Sequence, residues 1–460
     1  MNMRSLAAVV LLFQAARVCA GVTIDARRID PGMPNELAVR STTPANVTVT
    51  FPPSLTVQHV PDECRVNGST VICANATTIP ITFFAEEQTP DSVTVTANDA
   101  AVSLLTNQLF NVTNTNDSGA GSLRAAMEAA NTTDCARSGR CKVAFRLGVP
   151  PSPGWFTISL QSPLPAMRPM LSIDGTTQTR LFGDTNPAGP EIFLDGSRLT
   201  QGNGVVFESA EVVSLAIGNF PNAGILITRP PVAASEVIVA KVPREIHACY
   251  IGVAPDGETA APNERGIVVV ADTIASSPFI ITGNVISANR RTGIYLLGSP
   301  VEVLNNVIGL DAQHRKPLGN GASGIYAASS SFFLNIRFAS HYAYVSGNYI
   351  TSATYDSAAN KTIIDTTHPP DFGIHSGRLA PYYFYYASDA PHPSGYGDGQ
   401  YFLGMTQGAN HLAVDGNLRG KWISVYVTQH KIDCCFDNGS TGSQNTATLT
   451  GEFSRAVQVK

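Results

Sequence analysis

The sequence predicts an all-β chain built on a parallel β-helix solenoid, with a short N-terminal capping helix and small β-sandwich modules on either side. Three observations carry that prediction. The 460 residues include 39 Gly and 30 Pro with only 14% charged and 43% hydrophobic residues, too apolar for disorder and too rich in turn formers for a helical bundle. Val, Ile and Thr come in short bursts separated by Gly, Asn, Asp and Pro, the pattern of many short strands. Across the middle of the chain, short motifs return at spacings in the low twenties, the period of a coil whose strands stack about 4.8 Å apart.

Residues 1–20 have the form of an export leader. Arg4 supplies the positive start, Leu6 to Phe13 the apolar core, and Val18-Cys19-Ala20 a small-residue cleavage site. No other apolar run approaches the ~20 residues that a membrane span needs, so no transmembrane segment is expected in the mature chain. Cleavage takes Arg4 and Arg17 from the 30 basic residues and nothing from the 35 acidic ones, leaving a net charge of −7. An acidic chain without a basic stripe is not a nucleic-acid binder.

Residues 21–107 form the first β-sandwich-like module. Val47–Thr50 and Val93–Thr96 alternate strictly, Ile81–Phe84 is a third β-prone run, and Val66-Asn67-Gly68-Ser69 is a hairpin turn between Cys64 and Cys73. Cys64 with Cys73, and Cys135 with Cys141, suit disulfides in an oxidising compartment. Cys434 and Cys435 are adjacent and need separate partners or remain thiols. Residues 108–154 then change character. Ser122 is a good helix N-cap, and Leu123, Ala126, Met127 and Ala130 share one face of a helix over 123–130. A solenoid must cover its raw end, and this helix is the expected cap.

Residues 155–377 carry the repeats. Ile173-Asp174-Gly175-Thr176 is echoed 21 residues later by Leu194-Asp195-Gly196-Ser197, and Asn284-Val285-Ile286 is echoed 22 later by Asn306-Val307-Ile308. Asn348-Tyr349-Ile350 follows after another 42, and Gly-Ile recurs at 224, 266, 293, 324 and 373. Asn284, Asn306 and Asn348 are expected to stack as a ladder, each amide bonding the backbone of the next turn. A longer repeat, offset by 57, aligns Cys249 with Asn306, so Cys249 is expected to be a small buried substitute in that ladder. Residues 378–460 form a C-terminal β-sandwich-like module, with strands at Tyr382–Tyr386, Tyr401–Leu403, Ile423–Thr428, Ala447–Thr450 and Val457–Val459.

Val112-Thr113-Asn114-Thr115-Asn116-Asp117-Ser118-Gly119, with Gly121-Ser122-Leu123-Arg124, resembles the N-terminal cap of bacterial secreted right-handed parallel β-helix proteins of the pectate-lyase-like superfamily. So do Ile173 to Gln178 and the Ile-Gly…Gly-Asn…Gly-Ile repeats, and Pro393 to Gln400, Phe402-Leu403-Gly404 and Glu452-Phe453-Ser454 resemble the family's terminal module. The resemblance covers about 108–351 and 378–460. It implies a right-handed coil in a secreted or cell-envelope protein, and no single activity.

Four groups of residues are candidates for chemistry. Asp174 and Asp195, one coil apart, are expected ~5 Å from each other. That spacing suits a Ca²⁺ site or the two carboxylates of a retaining glycosidase, although Asp-Gly also simply ends a strand in a turn. Asp365, His368, Asp371 and His375 offer metal donors within eleven residues, held extended by Pro369-Pro370. Arg290 and Arg291, at a bend, suit uronate carboxylates. In Tyr382–Tyr386, Tyr383 and Tyr385 are the expected outward rings for stacking on sugars, with Tyr382, Phe384 and Tyr386 in the core. The chain lacks the Gly-His-Gly and Arg-Ile-Lys signatures of β-helix polygalacturonases, and the Trp-Ile-Asp-His and Arg-x-Pro-x-x-Arg signatures of extracellular pectate lyases. No motif identifies a catalytic site. The expected function is therefore a non-catalytic exported scaffold for surface interaction, adhesion or polysaccharide recognition, needing no cofactor beyond optional Ca²⁺. A polysaccharide lyase or glycoside hydrolase is the alternative.

Overall fold

The computed structural model describes residues 22–26, 28–135, 141–228, 245–270, 279–297, 301–322, 324–329, 336–339, 342–343, 350–367, 382–391, 400–433, 445–453 and 455–460. The leader, Asn348, Cys434, Cys435, His368, Asp371, His375 and Gly373-Ile374 lie outside them. The chain is all-β, with two helices among the described elements. It divides into two compact units, residues 1–109 and, apart from 140–142 and 236–240, residues 110–460.

The first unit is a seven-stranded sheet in which every pairing is antiparallel. Its two longest strands, Met33–Thr50 and Thr70–Ala85, contain the expected Val47–Thr50 and Ile81–Phe84 runs, and Ser92–Ala97 contains the third. Their alternate residues close a core that includes Val39, Val49, Ile81, Phe83 and Val95, each 1% exposed or less. The hairpin forms where Asn-Gly predicts it, with Gly68 at φ +58°. It sets Cys64 directly opposite Cys73, and the two are disulfide-bonded. Cys135 and Cys141 are disulfide-bonded as well.

The second unit contains three sheets in which parallel strands succeed one another. In sheet I, Leu171–Asp174, Glu211–Val213, Glu245–His247, Phe279–Thr282, Val301–Leu304 and Ile336–Ala339 pair in sequence. In sheet II, Phe156–Ser159, Ile192–Asp195, Ala216–Gly218, Tyr250–Ile251, Val285–Ile286, Val307–Ile308 and Tyr342–Ala343 do so. In sheet III, Val205–Phe207, Ala223–Thr228, Arg265–Val270, Ile294–Leu297 and Ile325–Ser329 follow. From residue 192 to residue 343 the chain visits sheets II, III and I in rotation through the described strands.

Each sheet supplies aliphatic rows to the interior. Ile158, Leu194, Ile217, Ile251, Ile286 and Ile308 stand in register along sheet II, all fully buried. The sheet III row Val205, Ile225, Ile267, Ile294 and Ile325 carries the second residue of four Gly-Ile repeats. In-register β-branched side chains repeat the same packing at every step, which is why a short motif recurs in sequence.

The described asparagines Asn284 and Asn306 form a ladder in which each amide bonds backbone of the preceding turn rather than of the next one. Asn284 Nδ2 donates to Ile246 O at 2.9 Å, and Asn306 Nδ2 donates to Ile281 O at 2.7 Å. Asn306 Oδ1 accepts from the Asn284 amide N–H, and Asn284 Oδ1 accepts from that of Cys249. Cys249 occupies the same turn position, fully buried, with its thiol pushed up to about 12 by burial. A second ladder escaped the sequence reading. Asn263, Asn289 and Asn320, all at most 1% exposed, hand amide hydrogen bonds from turn to turn at 2.9–3.1 Å. Its signal was present, an Asn three or four residues before each of three Gly-Ile pairs.

Helix α1, Leu123–Thr132, forms where expected, with Ser122 Oγ accepting from Ala125 N at 3.2 Å and Leu123, Ala126, Met127 and Ala130 buried. Helix α2, Thr176–Phe182, was not expected. Its Thr177 Oγ1 donates to Asp174 O and accepts from Phe145 N, and Gln178 bonds Leu147 N and Gly148 O.

Four of the five expected C-terminal strands fall within observed ones, and the fifth, expected over Val457–Val459, is observed as Val457–Gln458. They extend sheet III, because Asn445–Phe453 pairs antiparallel with Ile325–Ser329. Ile350–Asp356 and Lys361–Thr366, expected to belong to the repeats, instead form an antiparallel hairpin that pairs with His411–Asp415. Ile350, Ala353 and Ile364 enter the core of these C-terminal strands, beside Tyr383, Tyr385, Val425 and Val427.

Candidate functional site

Two sequence expectations fail at the level of register. Asp174 ends a strand of sheet I and stands opposite Val213, whereas Asp195 ends a strand of sheet II between Ser159 and Gly218. The 21-residue echo therefore links two different sheets rather than successive coils, with α2 filling the interval. Each carboxylate serves its own turn. Asp174 accepts from Thr176 N and Oγ1 at 3.0 and 2.5 Å and pairs with Arg180 at 3.5 Å. Asp195 accepts from Ser197 N, Ser197 Oγ and Asn219 Nδ2. The structure does not bring the two together as a pair.

Tyr383 and Tyr385 are the second correction, since both are fully buried while Tyr382, Phe384 and Tyr386 are half-buried. The alternation is real and its phase is inverted. The face carrying Tyr383 and Tyr385 packs on Val425, Val427 and Ile364, and Tyr385 Oη reaches Thr406 Oγ1 at 3.4 Å. Burial raises both phenol pKa values. These rings are core.

Asp365 accepts from Ser352 Oγ at 2.7 Å and meets His411 Nδ1 at 2.7 Å, and the His411 hydrogen bond lowers its pKa. Its expected co-ligands lie outside the described residues.

Arg290 and Arg291 remain exposed at the bend leading into sheet III. Their amides donate to Asn263 O and Glu264 O of the previous turn, and the Arg291 side chain pairs with Glu264 at 3.2 Å. Beside them stands a feature the sequence reading did not assemble. Along the outer face of sheet III, Val206, Leu226, Val268, Tyr295 and Tyr326 stand in register, all half-buried. Tyr295 and Tyr326 stack with centroids 4.8 Å apart and planes 5° apart, and the Arg265 guanidinium lies 5.4 Å from the Tyr295 centroid. The result is an apolar row ending in stacked rings, with the Arg265 guanidinium over one of them.

No protein-family model matches this chain, and no curated protein sequence does either.

A groove of about 370 Å³ lies elsewhere on this unit, lined by Thr115, Asn116, Asp117, Ser159, Gln161 and Arg198 among others. Asp117 is held by Arg124 at 2.9 Å and accepts from Gln161 N. Burial alone would raise its pKa, but these hydrogen bonds outweigh it and lower the value. The groove offers hydroxyls, amides and charge without an aromatic wall.

The outer face of sheet I concentrates carboxylates. Register sets Ser172, Glu211 and Glu245 side by side, and two residues further along sets Asp174, Val213 and His247 in the neighbouring row. His247 Nε2 is 3.7 Å from Glu211 Oε1, and Ser172 Oγ donates to Glu211 Oε2 at 3.0 Å. Single donor atoms of Glu211, Glu245 and His247 all lie within 4.8 Å of one another. The Glu211 hydrogen bond, backed by the charges of Glu245, Glu211 and Asp174, raises the His247 pKa against the opposing effect of burial.

Proposed function

We propose that the protein is an exported right-handed parallel β-helix, capped by α1, that recognises an extended acidic polysaccharide along the outer face of sheet III. The observation that carries this reading is the Arg265–Tyr295–Tyr326 stack, with the exposed Arg290 and Arg291 in the bend that leads into the Tyr295 strand. The stacked tyrosines present ring edges and hydroxyl groups that can line a sugar chain, and guanidinium forks pair bidentately with its carboxylates. Strand spacing of ~4.8 Å gives a repetitive surface suited to a repetitive ligand.

The rotation of parallel strands through three sheets supports the solenoid, and the burial of Leu123, Ala126, Met127 and Ala130 supports the capping role of α1. The leader-like first twenty residues and the two cysteine pairs support export to an oxidising compartment. No described helix is long and apolar enough to cross a membrane.

The test is retention of the purified protein on a panel of acidic and neutral polysaccharides, with Ca²⁺ and with chelator. Unsaturated products and new reducing ends are monitored in parallel. Retention on uronate-containing polymers, reduced at least about tenfold by Tyr295→Ala or by the Arg290→Ala/Arg291→Ala pair, is the expected result. Turnover of any polymer would overturn the non-catalytic reading, and retention unaffected by these substitutions would overturn the assignment to sheet III.

A further inference from the structure

We propose that Glu211, Glu245 and His247 form a site for a divalent transition-metal ion, with Zn²⁺ the best-fitting class. The site lies on sheet I, on a different sheet from the polysaccharide face, and does not depend on it.

Three features carry the inference. First, the donors come from two adjacent strands in fixed register, Glu211 directly opposite Glu245 and His247 two residues further along its own strand on the same outward face. A β-ladder holds such groups far more tightly than a loop does. Second, the donor atoms already converge to within 4.8 Å, each on a half-buried side chain. Zinc bonds to nitrogen and carboxylate oxygen are about 2.0–2.2 Å long, so closure requires rotamer adjustment of about an ångström and no movement of the sheet. Third, neighbouring groups support the ligands. Ser172 Oγ fixes Glu211 Oε2, which leaves Oε1 as the atom facing His247, and Arg180 engages Asp174, the next carboxylate in the cluster. Hydrogen bonds from outer groups orient metal ligands in this way.

The donor set selects the ion. One imidazole and two carboxylates suit Zn²⁺, Cu²⁺ and Mn²⁺, whereas Ca²⁺ takes six to eight oxygens and gains nothing from the histidine. Two carboxylates also neutralise the dication, which relieves the like-charge repulsion that Glu211 and Glu245 otherwise impose on each other across the ladder. Three protein ligands leave at least one position for water or for an oxygen of a further ligand.

Tag-free full-length protein, stripped with chelator, is dialysed against Zn²⁺ and separately against Ca²⁺, and bound metal is measured by mass spectrometry. One Zn²⁺ per chain is expected, with Glu245→Gln and His247→Gln each weakening it at least tenfold. Glu302→Gln should leave it unchanged, because that carboxylate lies two strands along the same row with Ile280 between. Circular dichroism confirms that each variant keeps its strand content. His247→Asp guards against a variant that fails for structural reasons, since it supplies an oxygen donor in place of nitrogen. Cu²⁺ loaded into the native protein should show one imidazole nitrogen by electron paramagnetic resonance, and in His247→Asp none. Absence of Zn²⁺ binding up to millimolar concentration overturns the assignment, and so does stoichiometric binding that survives His247→Gln or a preference for Ca²⁺.

Discussion

Asn289 is the member of the second amide ladder with most to lose. Its Nδ2 donates to Asn320 Oδ1 at 2.9 Å and to Ile251 O and Ser287 O at 3.2 Å, while its Oδ1 accepts from Asn263 Nδ2 at 3.1 Å. Asn289→Ala removes two N–H donors, shared among three acceptors, and one accepting oxygen from a position 1% exposed, about three hydrogen bonds in all. Each is worth about 1 kcal/mol net. Two partners keep another bond, Asn263 Nδ2 to Ile217 O and Asn320 Oδ1 to the residue 289 amide, so the full desolvation penalty is not incurred. The expected cost is about 3 kcal/mol. Both tryptophans, Trp155 and Trp422, belong to the second unit, so intrinsic fluorescence during urea unfolding reports this unit alone. Exposed Asn417, which bonds only its own turn at Arg419 N, is the control, and Asn417→Ala should fall within about 0.5 kcal/mol of wild type. Asn289→Asp sharpens the test. It directs a carboxylate at three acceptors, so its folded pKa must lie above the unfolded value of about 3.9. The pH-dependent part of its penalty grows as pH rises from that unfolded value to the folded one, and disappears as the pH falls below the unfolded value. A cost for Asn289→Ala no larger than that of the control, or an Asp variant indifferent to pH, would refute the ladder as a source of stability.

Three further outcomes are expected. Cys249, with its thiol pushed up to about 12 and no exposure, should resist iodoacetamide at pH 8 in the native protein and react after denaturation, read at its own peptide by mass spectrometry. Ala248 sits at φ +54°, where the equivalent turn one coil later has Gly283 at φ +63°, so Ala248→Gly should raise the midpoint of urea unfolding, by about 0.5–1 kcal/mol of stability. The raised pKa of His247 contributes stability that is fully present below the unfolded histidine value of about 6.5 and lost as pH rises through the folded value. The stability difference between wild type and His247→Gln should therefore shrink as pH rises through that window, measured by denaturant titration in chelator.

Much of the architecture was legible because burial leaves a periodic trace. The Gly-Ile and Asn-Val-Ile repeats mark inward rows of sheets III and II, and the one-sided helix over 123–130 is α1. What was not legible depends on where the chain goes between strands. The 57-residue offset from Cys249 to Asn306 spans two coils of unequal length, 35 and then 22 residues, because loops differ in size while the rows they return to do not. Counting residues from Asp174 to Asp195 therefore mistook a passage between sheets for a full coil. The tyrosine strand shows a different limit. Alternation divides Tyr382–Tyr386 into two faces, but both carry aromatic rings, and only the apolar residues of the opposing strands decide which face is covered.

The turn between sheets I and II fixes which rows of the described strands face inward. Four such turns have two residues each, Ser214-Leu215, Ala248-Cys249, Gly283-Asn284 and Asn305-Asn306, and the first residue is left-handed in every one, at φ +51° to +63°. A two-residue corner of fixed geometry leaves no freedom in the phase of the strands it joins, so the inward rows are committed to aliphatic packing and the corner amides to the ladders. Asp174 and Asp195 are likewise committed to the turns that follow them. The groups not absorbed by these duties are the outward ones. There register alone creates proximity between residues distant in sequence. Glu211 and Glu245 are neighbours although 34 residues separate them, and Tyr295 meets Tyr326 across 31. No spacing rule along the chain finds such pairs, because intervening loops change length freely. Function on this fold is therefore read across strands, and the two outward clusters that register assembles, one of carboxylates and imidazole and one of rings and guanidinium groups, are where substitution should separate binding from stability.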